Sequence, residues 1–339
     1  MDLRNALRIS LQSGLKALTF GLIVAPSLAH ASPWTLRQGD VALKLSTDVQ
    51  YADREFVVQR DLQRFPLDGR FWGGNFRTDL RYGISDRTEI GGSLAFAYAS
   101  YTSDEVFFGE GVFDTTQTTG TLQSVRANIQ SFDQTAVGLG DLRLFVRNRL
   151  TPMGRAVVAT EIGAKIPTGY RQPSGTFEDD APGEGLTDDV TLGDGQMDLH
   201  AMLLTGFSPT WDWFIRLDVG GRARFFGPAP QVIGAFKTGY RITPGFLPYL
   251  FVDGQVSIGE GRVIGQSFIA TDPSIPSIDF EFATVEPVDL TLDRSSVVPG
   301  IGAIFALGDR DIDVNYSYVV WGQNTAQLHM FSIGTNLKF

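Results

Sequence analysis

The chain of 339 residues contains no cysteine and only three histidines, and each scarcity removes a class of chemistry. Without thiols there are no disulfides, no thiolate nucleophile, no soft-metal cage and no lipid-modified cysteine behind a leader. Long hydrophobic runs are missing too. The longest apolar stretch, Ala17 to Ala25, falls well short of the ~20 residues that a spanning helix needs, so a helical membrane protein is excluded. Basic residues are the minority sign: 28 Lys and Arg stand against 38 Asp and Glu, a net charge of −10 that argues against nucleic acid as a partner.

What is present begins with a leader. Arg4, Arg8 and Lys16 precede the apolar stretch, Pro26 ends it, and Ala29-His30-Ala31 offers a small-residue cleavage site, the pattern of a secretory signal. Residues 1–31 are expected to be a cleavable signal peptide and residues 32–339 the mature protein. Cleavage removes three basic residues and Asp2, leaving 25 basic against 37 acidic residues, a net charge of −12.

The mature sequence is written in period two. Phe331, Ile333, Thr335, Leu337 and Phe339 take one face of the last segment, while Met330, Ser332, Gly334, Asn336 and Lys338 take the other. An apolar face backed by a small or polar face describes a strand with lipid on one side and water on the other. Val41 to Val49 alternates in the same way, as does Phe76 to Ile84. Further strands are expected near 90–98, 138–150, 155–166, 197–207, 211–225, 231–242, 247–259, 297–307, 311–320 and 327–339, twelve in all.

Connection lengths test that count independently. Short turns (Ser85 to Arg87, Thr151 to Gly154, Ser208 to Thr210, Thr243 to Phe246, Gly308 to Arg310) alternate with longer loops near 52–70, 102–137, 167–195 and 260–296 and shorter ones near 226–230 and 321–326. Bacterial barrels place short turns on the periplasmic side and long loops outside. The expected fold is all-β, a transmembrane antiparallel barrel of about twelve strands in the cell outer membrane. Tyr82, Tyr98, Trp211, Trp213, Tyr240, Tyr316, Tyr318 and Trp321 fall near strand ends, where aromatic rings suit headgroup depth. Phe339, the aromatic on which the chain stops, is read as a C-terminal signal to the barrel assembly machinery, and outer-membrane lipid and lipopolysaccharide are the expected surroundings.

A backbone diameter of roughly 24 Å follows from twelve strands ~4.8 Å apart tilted ~40°, and inward side chains leave about half of it. Parity turns Arg77, Arg81, Arg143, Arg147, Arg216, Arg222, Lys237 and Arg241 inward as pore-lining residues, with Lys44, Arg149, Lys165, Arg224 and Lys338. Asp48, Asp79, Asp141, Glu161, Asp198, Asp218, Asp253, Asp311 and Asp313 face them. Two readings stand beside each other: a cationic path for anionic or polarisable solutes, and a salt-bridge network that braces the barrel, suggested by Asp79 between Arg77 and Arg81 and by Asp218 beside Arg216. The segment 32–39 is read as too short to plug the lumen, which leaves a constriction to the outer loops or the lumen side chains. The loop from Pro167 to Gly195 carries Glu178, Asp179, Asp180, Glu184, Asp188, Asp189 and Asp194, read chiefly as a solvated surface. Leu122, Val125, Ile129 and Phe132 have helix-like spacing within the 102–137 loop.

Enzyme chemistry has little to work with. His200 shares the inward parity with Asp198 and reads as a lumen hydrogen-bond pair, His329 falls on the lipid-facing parity, and no Gly-x-Ser-x-Gly elbow accompanies either. No cofactor or metal is expected.

Gly138-Leu139-Gly140-Asp141-Leu142, Arg147-Asn148-Arg149-Leu150 and Gly163-Ala164-Lys165-Ile166-Pro167-Thr168-Gly169, with Gly193 to Asp198 and Tyr82 to Arg87, resemble an outer-membrane family described as phenol meta-pathway degradation transporters. That family is grouped loosely with long-chain fatty-acid transporters. The resemblance implies a small-molecule solute, passage of hydrophobic or aromatic compounds, and no established active residues. The expected function is a passive outer-membrane channel or transporter for small organic solutes. The alternatives are a structural or surface-interaction barrel with a sealed lumen and an outer-membrane lipid hydrolase.

Overall fold

The computed structural model describes residues 33–57, 61–65, 68–104, 106–107, 129–130, 133–170, 192–270, 285–308 and 310–339. The leader, most of the acidic loop, and Leu122, Val125 and Phe132 of the helix-like spacing lie outside them; Ile129 lies within them and is paired with Phe107 as strand, not helix. Twelve long strands follow in chain order: β1 (Val41–Ala52), β2 (Arg70–Gly83), β3 (Thr88–Thr102), β4 (Gln134–Arg149), β5 (Ala156–Ile166), β6 (Asp198–Phe207), β7 (Trp213–Arg224), β8 (Gln231–Tyr240), β9 (Phe246–Ser257), β10 (Ser295–Leu307), β11 (Arg310–Tyr318) and β12 (His329–Lys338). Each pairs antiparallel with its sequence neighbour, and β1 pairs with β12, so the sheet closes and no long edge remains.

Closure follows from the side-chain pattern, because only a closed sheet satisfies every backbone group while exposing one apolar face to lipid. Phe76, Leu80, Phe96, Leu139, Val146, Leu217, Leu250, Ile301 and Phe331 stand exposed on the outer surface, and Ile162 reaches 66%. A belt of that extent is incompatible with water. The inward parity holds most of the charged residues and glycines such as Gly91, Gly163, Gly220 and Gly300. A bulge between Leu94 and Phe96, opposite Leu142 and Leu139, lets one strand carry an extra residue at the middle of β4.

The tight turns form as their residues dictate. Ser85 Oγ accepts from the Thr88 amide at 3.0 Å, and the Ile84 amide donates to the Thr88 carbonyl at 2.9 Å. The long loops are more ordered than the sequence reading anticipates. Val263–Ala270 pairs with Val285–Thr291, and Arg54–Phe56 pairs with both Leu62–Arg64 and Thr325–Ala326. The two- and three-residue strands 54–56, 62–64 and 325–326 carry no readable period, which is why they appear in the sequence only as loop, whereas the hairpin 263–270 with 285–291 is long enough to be read and is missed. The small three-stranded sheet helps cover the extracellular mouth. Under it Phe56, Phe65, Phe71, Tyr101, Leu192, Val298, Val319, Ala326 and Leu328 form a buried apolar cluster, with the Phe65 and Tyr101 rings edge to face at 5.6 Å.

Candidate functional site

The lumen is built from three ionic groups and one strip of small residues. On the periplasmic side of β2 to β6, Arg147 bridges Glu89 and Glu161, its Nε lying 3.0 Å and its Nη2 2.6 Å from Glu161 Oε2. Arg81 approaches Glu89 at 3.6 Å. Arg147 is 1% exposed and Glu89 fully enclosed, so this group is structural filling as well as charge. Glu89 escapes the parity reading above, although its position beside outward Ile90 marks it as inward.

His200 completes this group, its Nε2 lying 3.1 Å from Glu161 Oε1. That corrects the expected pairing with Asp198. Residues two apart on one strand stand parallel, whereas His200 lies opposite Gly163, whose missing side chain lets the imidazole lean across to Glu161. A Cβ on Gly163 would fall 2.4 Å from the His200 ring and 2.6 Å from the Leu144 carbonyl. Among the described residues no hydroxyl is hydrogen-bonded to His200. His329 stands at the outer rim in an aromatic group, with Tyr318 4.4 Å away centroid to centroid and its Nδ1 2.8 Å from Tyr316 Oη.

The second group joins β5, β6 and β7 to the loop before β6. Lys165 reaches Asp198 at 3.1 Å and Asp141 at 3.7 Å and pairs with Asp194, while Arg224 holds both Asp194 and, at 3.4 Å, Asp198. Arg222 lies 4.0 Å from Asp198 and donates to Gln231 Oε1 at 3.1 Å. Asp194 is thus no solvated loop acid. Burial alone would raise its pKa, but Lys165 and Arg224 outweigh burial and hold it below the usual carboxylate range. Leu192 to Gln196 are all buried, so this stretch folds into the mouth of the barrel and narrows it.

The third group spans β1, β8, β9 and β11. Lys44 lies 3.8 Å from Asp313, Tyr249 Oη donates to Asp313 at 2.5 Å, and the Lys237 ammonium sits 3.5 Å from the Tyr249 ring centroid. Arg216 pairs with Asp218 at 2.6 Å within β7, as expected from their spacing. Arg81 turns to Glu89, and Asp79 stands across from Lys44 of β1 and Ser93 of β3 with one buried oxygen outside any hydrogen bond. Among the ionic groups stand small inward residues, Ser332, Gly334, Ser46, Ala95 and Ser93, all partly accessible, with Arg77 and Asp79 of β2 between those of β1 and those of β3.

Two further expectations need correction. Arg241 stands exposed in the turn after β8, because that strand ends at Tyr240 and the Arg241 amide donates to the Asp212 carbonyl of the neighbouring turn. The amino-terminal segment, short as it is, folds inward at the periplasmic end. The Leu36 amide donates to Glu89 Oε2 at 2.9 Å, Arg149 Nε donates to Thr35 Oγ1 at 3.2 Å, and Trp34 packs where a Cβ on Gly206 would be, 2.5 Å away. Length alone misjudges it, since an extended residue spans ~3.3 Å and seven of them cross most of the roughly 24 Å barrel.

Closed twelve-stranded pairing, an apolar outer belt and a charged lumen define a transmembrane β-barrel of the bacterial outer membrane. No family model matches the sequence, and no curated protein does. Among solved structures, the fold superposes on an outer-membrane channel from Pseudomonas putida F1 with a TM-score of 0.60, covering 93% of this chain and 100% of that one at 10% identity. At that identity the likeness is one of fold. The KdgM porin in complex with disordered oligogalacturonate has a TM-score of 0.43 at 5% identity, over 88% of this chain and 99% of that one. The CymD monoaromatic hydrocarbon channel has 0.42 at 11% identity, over 98% and 97%. Both superpose too loosely to support further argument.

Proposed function

We propose that the protein is a passive outer-membrane channel for small organic solutes, working without cofactor. The observation that carries this reading is the unevenness of the lumen. The charged side chains of β4 to β7 are largely enclosed, while Ser332, Gly334, Ser46, Ala95 and Ser93 on β12, β1 and β3 are small and partly accessible, divided by Arg77 and Asp79 of β2. Glycine and serine at facing positions, such as Ser46 opposite Gly334, take little volume of their own, with the Lys44 side chain lying over Gly334. Constriction comes from Leu192 to Gln196 at the outer mouth and from Trp34 to Leu36 at the inner one. Arg77, Arg81, Arg143, Arg147, Arg216, Arg222 and Lys237 line or brace the path, with Arg241 at its rim. The family resemblance favours hydrophobic or aromatic solutes, with residues 1–31 as a cleaved leader, Phe339 as an assembly signal and lipopolysaccharide as the outer surroundings.

Uptake into liposomes reconstituted with the mature protein tests this, comparing benzoate, phenol, a medium-chain fatty acid and a neutral sugar of similar size. Faster entry of the aromatic or fatty solutes than of the sugar supports a selective channel. The second reading, a sealed structural barrel, draws support from the enclosure of Arg147, Glu89, Asp198 and Asp218. Absence of conductance in planar bilayers would decide for it.

A further inference from the structure

Most lumen cations are committed. Lys44, Arg81, Arg147, Lys165, Arg216, Arg222 and Arg224 each have a carboxylate oxygen within ion-pair distance. Arg149 is held by Thr35 and by backbone carbonyls. Arg143 on β4 and Lys237 on β8 differ. Neither has a carboxylate oxygen within ion-pair distance among the described residues, and both are partly accessible on the inward face. The acids nearest Arg143 are otherwise engaged or poorly placed: Asp141 belongs to Lys165 and Tyr170, and Asp79 keeps one buried oxygen without a hydrogen bond.

Lys237 has an aromatic ring against it, and Arg143 has one on the same wall, the Phe145 ring, one face of which the Arg147 guanidinium covers at 4.9 Å. Phe145 follows Arg143 by two residues on the same inward face, adjoining Gly91, where a Cβ would touch the ring. Ser93 lies directly across from Arg143 on β3 and brings a hydroxyl to the same spot. Lys237 has the Tyr249 ring at 3.5 Å, with Phe251 6.0 Å beyond it. A cation with spare donors next to an aromatic face is complementary to an organic monocarboxylate: the carboxylate takes the charge and the apolar body rests on the ring.

We propose that Arg143 with Ser93 and Phe145, and Lys237 with Tyr249 and Phe251, are two binding stations for small aromatic monocarboxylates inside the barrel. This rests on the channel reading and deepens it by naming the solute class. Arg143 presents the planar fork and takes the carboxylate in bidentate fashion. Lys237 takes it as a point charge, exchanging part of its contact with Tyr249. Two stations of moderate strength on different walls allow a solute to pass from one to the other without being trapped, as conduction requires.

The test is isothermal titration of the detergent-solubilised mature protein with benzoate, using benzyl alcohol as the uncharged match, alongside planar-bilayer conductance of the same preparations. Benzoate is expected to bind more tightly than benzyl alcohol. Arg143→Gln should weaken benzoate by about tenfold, the loss expected for a charge-assisted hydrogen bond. Arg143→Lys, which keeps the charge and loses the fork, should fall between, and Lys237→Gln should remove the second site. Arg310→Gln, the same charge change at an exposed position on β11, should leave binding unchanged. Benzoate binding no tighter than benzyl alcohol, or equal in wild type and both Gln variants, overturns the stations while measurable conductance leaves the channel standing. Station-dependent binding in a barrel without conductance keeps the stations and sinks the channel.

Discussion

At the scale of single residues the lumen is governed by pairing. Arg147 sits between Glu89 and Glu161 with almost no contact with water, so each charge is tolerable only because the others are there. Glu89→Gln or Arg147→Leu leaves a buried charge uncompensated and should cost about 3–5 kcal/mol, read as a lowered unfolding midpoint in detergent. Removing an exposed rim charge such as Arg310 should cost less than about 1 kcal/mol. Equal midpoints for the two kinds of variant would contradict the network described above. Gly163→Ala makes a sharper point, because its Cβ meets the Leu144 carbonyl, which cannot swing aside. A loss of about 1–3 kcal/mol is expected, together with displacement of His200 from Glu161. The histidine ring resonances report that displacement directly.

At the scale of elements the two mouths behave differently. The outer cap holds Glu55, buried in its short strand, with Gln63 donating to Oε1 at 3.3 Å and no cation within ion-pair distance among the described residues. Burial pushes its pKa up to about 8, and the Gln63 hydrogen bond offsets only part of that. The folded cap therefore holds this proton more tightly than the unfolded chain, whose carboxyl titrates near 4.5. The stabilisation is complete below that lower value and is lost as pH rises through about 8. Amide exchange in 54–57, 61–65 and 325–328, corrected for intrinsic rates, should be faster at pH 8.5 than at pH 5 in wild type. In Glu55→Gln the difference should vanish; persistence of the full difference would refute the assignment. At the inner mouth, Gly206→Leu should drive Trp34 from its place and raise single-channel conductance, since the segment has no room to stay where it is.

At the scale of the whole molecule, stability depends on which solvent each face meets. Ile162 lies on the outer face of β5, between inward Glu161 and Gly163. Ile162→Arg should cost about 2–4 kcal/mol near the midplane, whereas Arg at the rim costs about 0–1 kcal/mol. Urea unfolding in liposomes separates the two. Phe339 is 74% exposed, its amide donating to the Val41 carbonyl at 2.9 Å across the seam that closes the barrel. Phe339→Ala should therefore reduce the yield of folded barrel in the outer membrane more than the stability of barrel already folded.

Period-two alternation made the twelve strands, their order of short and long connections and the lumen-facing parity legible before any coordinates, because lipid on one side and water on the other impose their polarity on every second residue. Strand ends are less legible: parity carries on to Arg241, one residue past the place where β8 stops, since a turn residue obeys the same parity as the strand it extends. Parity also says nothing about partners across the lumen. That Arg147 joins Glu89 to Glu161, that His200 prefers Glu161 to Asp198, and that Asp194 is drawn from a loop into the wall depend on residues 14 to 58 positions apart meeting in three dimensions. The same holds for Trp34 against Gly206 and for the availability of Arg143 and Lys237. Local alternation alone specifies a membrane barrel and the face of most strand residues, because each strand meets lipid on one side and water on the other. Only the tertiary structure decided which charges are spent on one another and which remain for a solute, because ion pairing falls off over a few ångströms and strand order sets those distances.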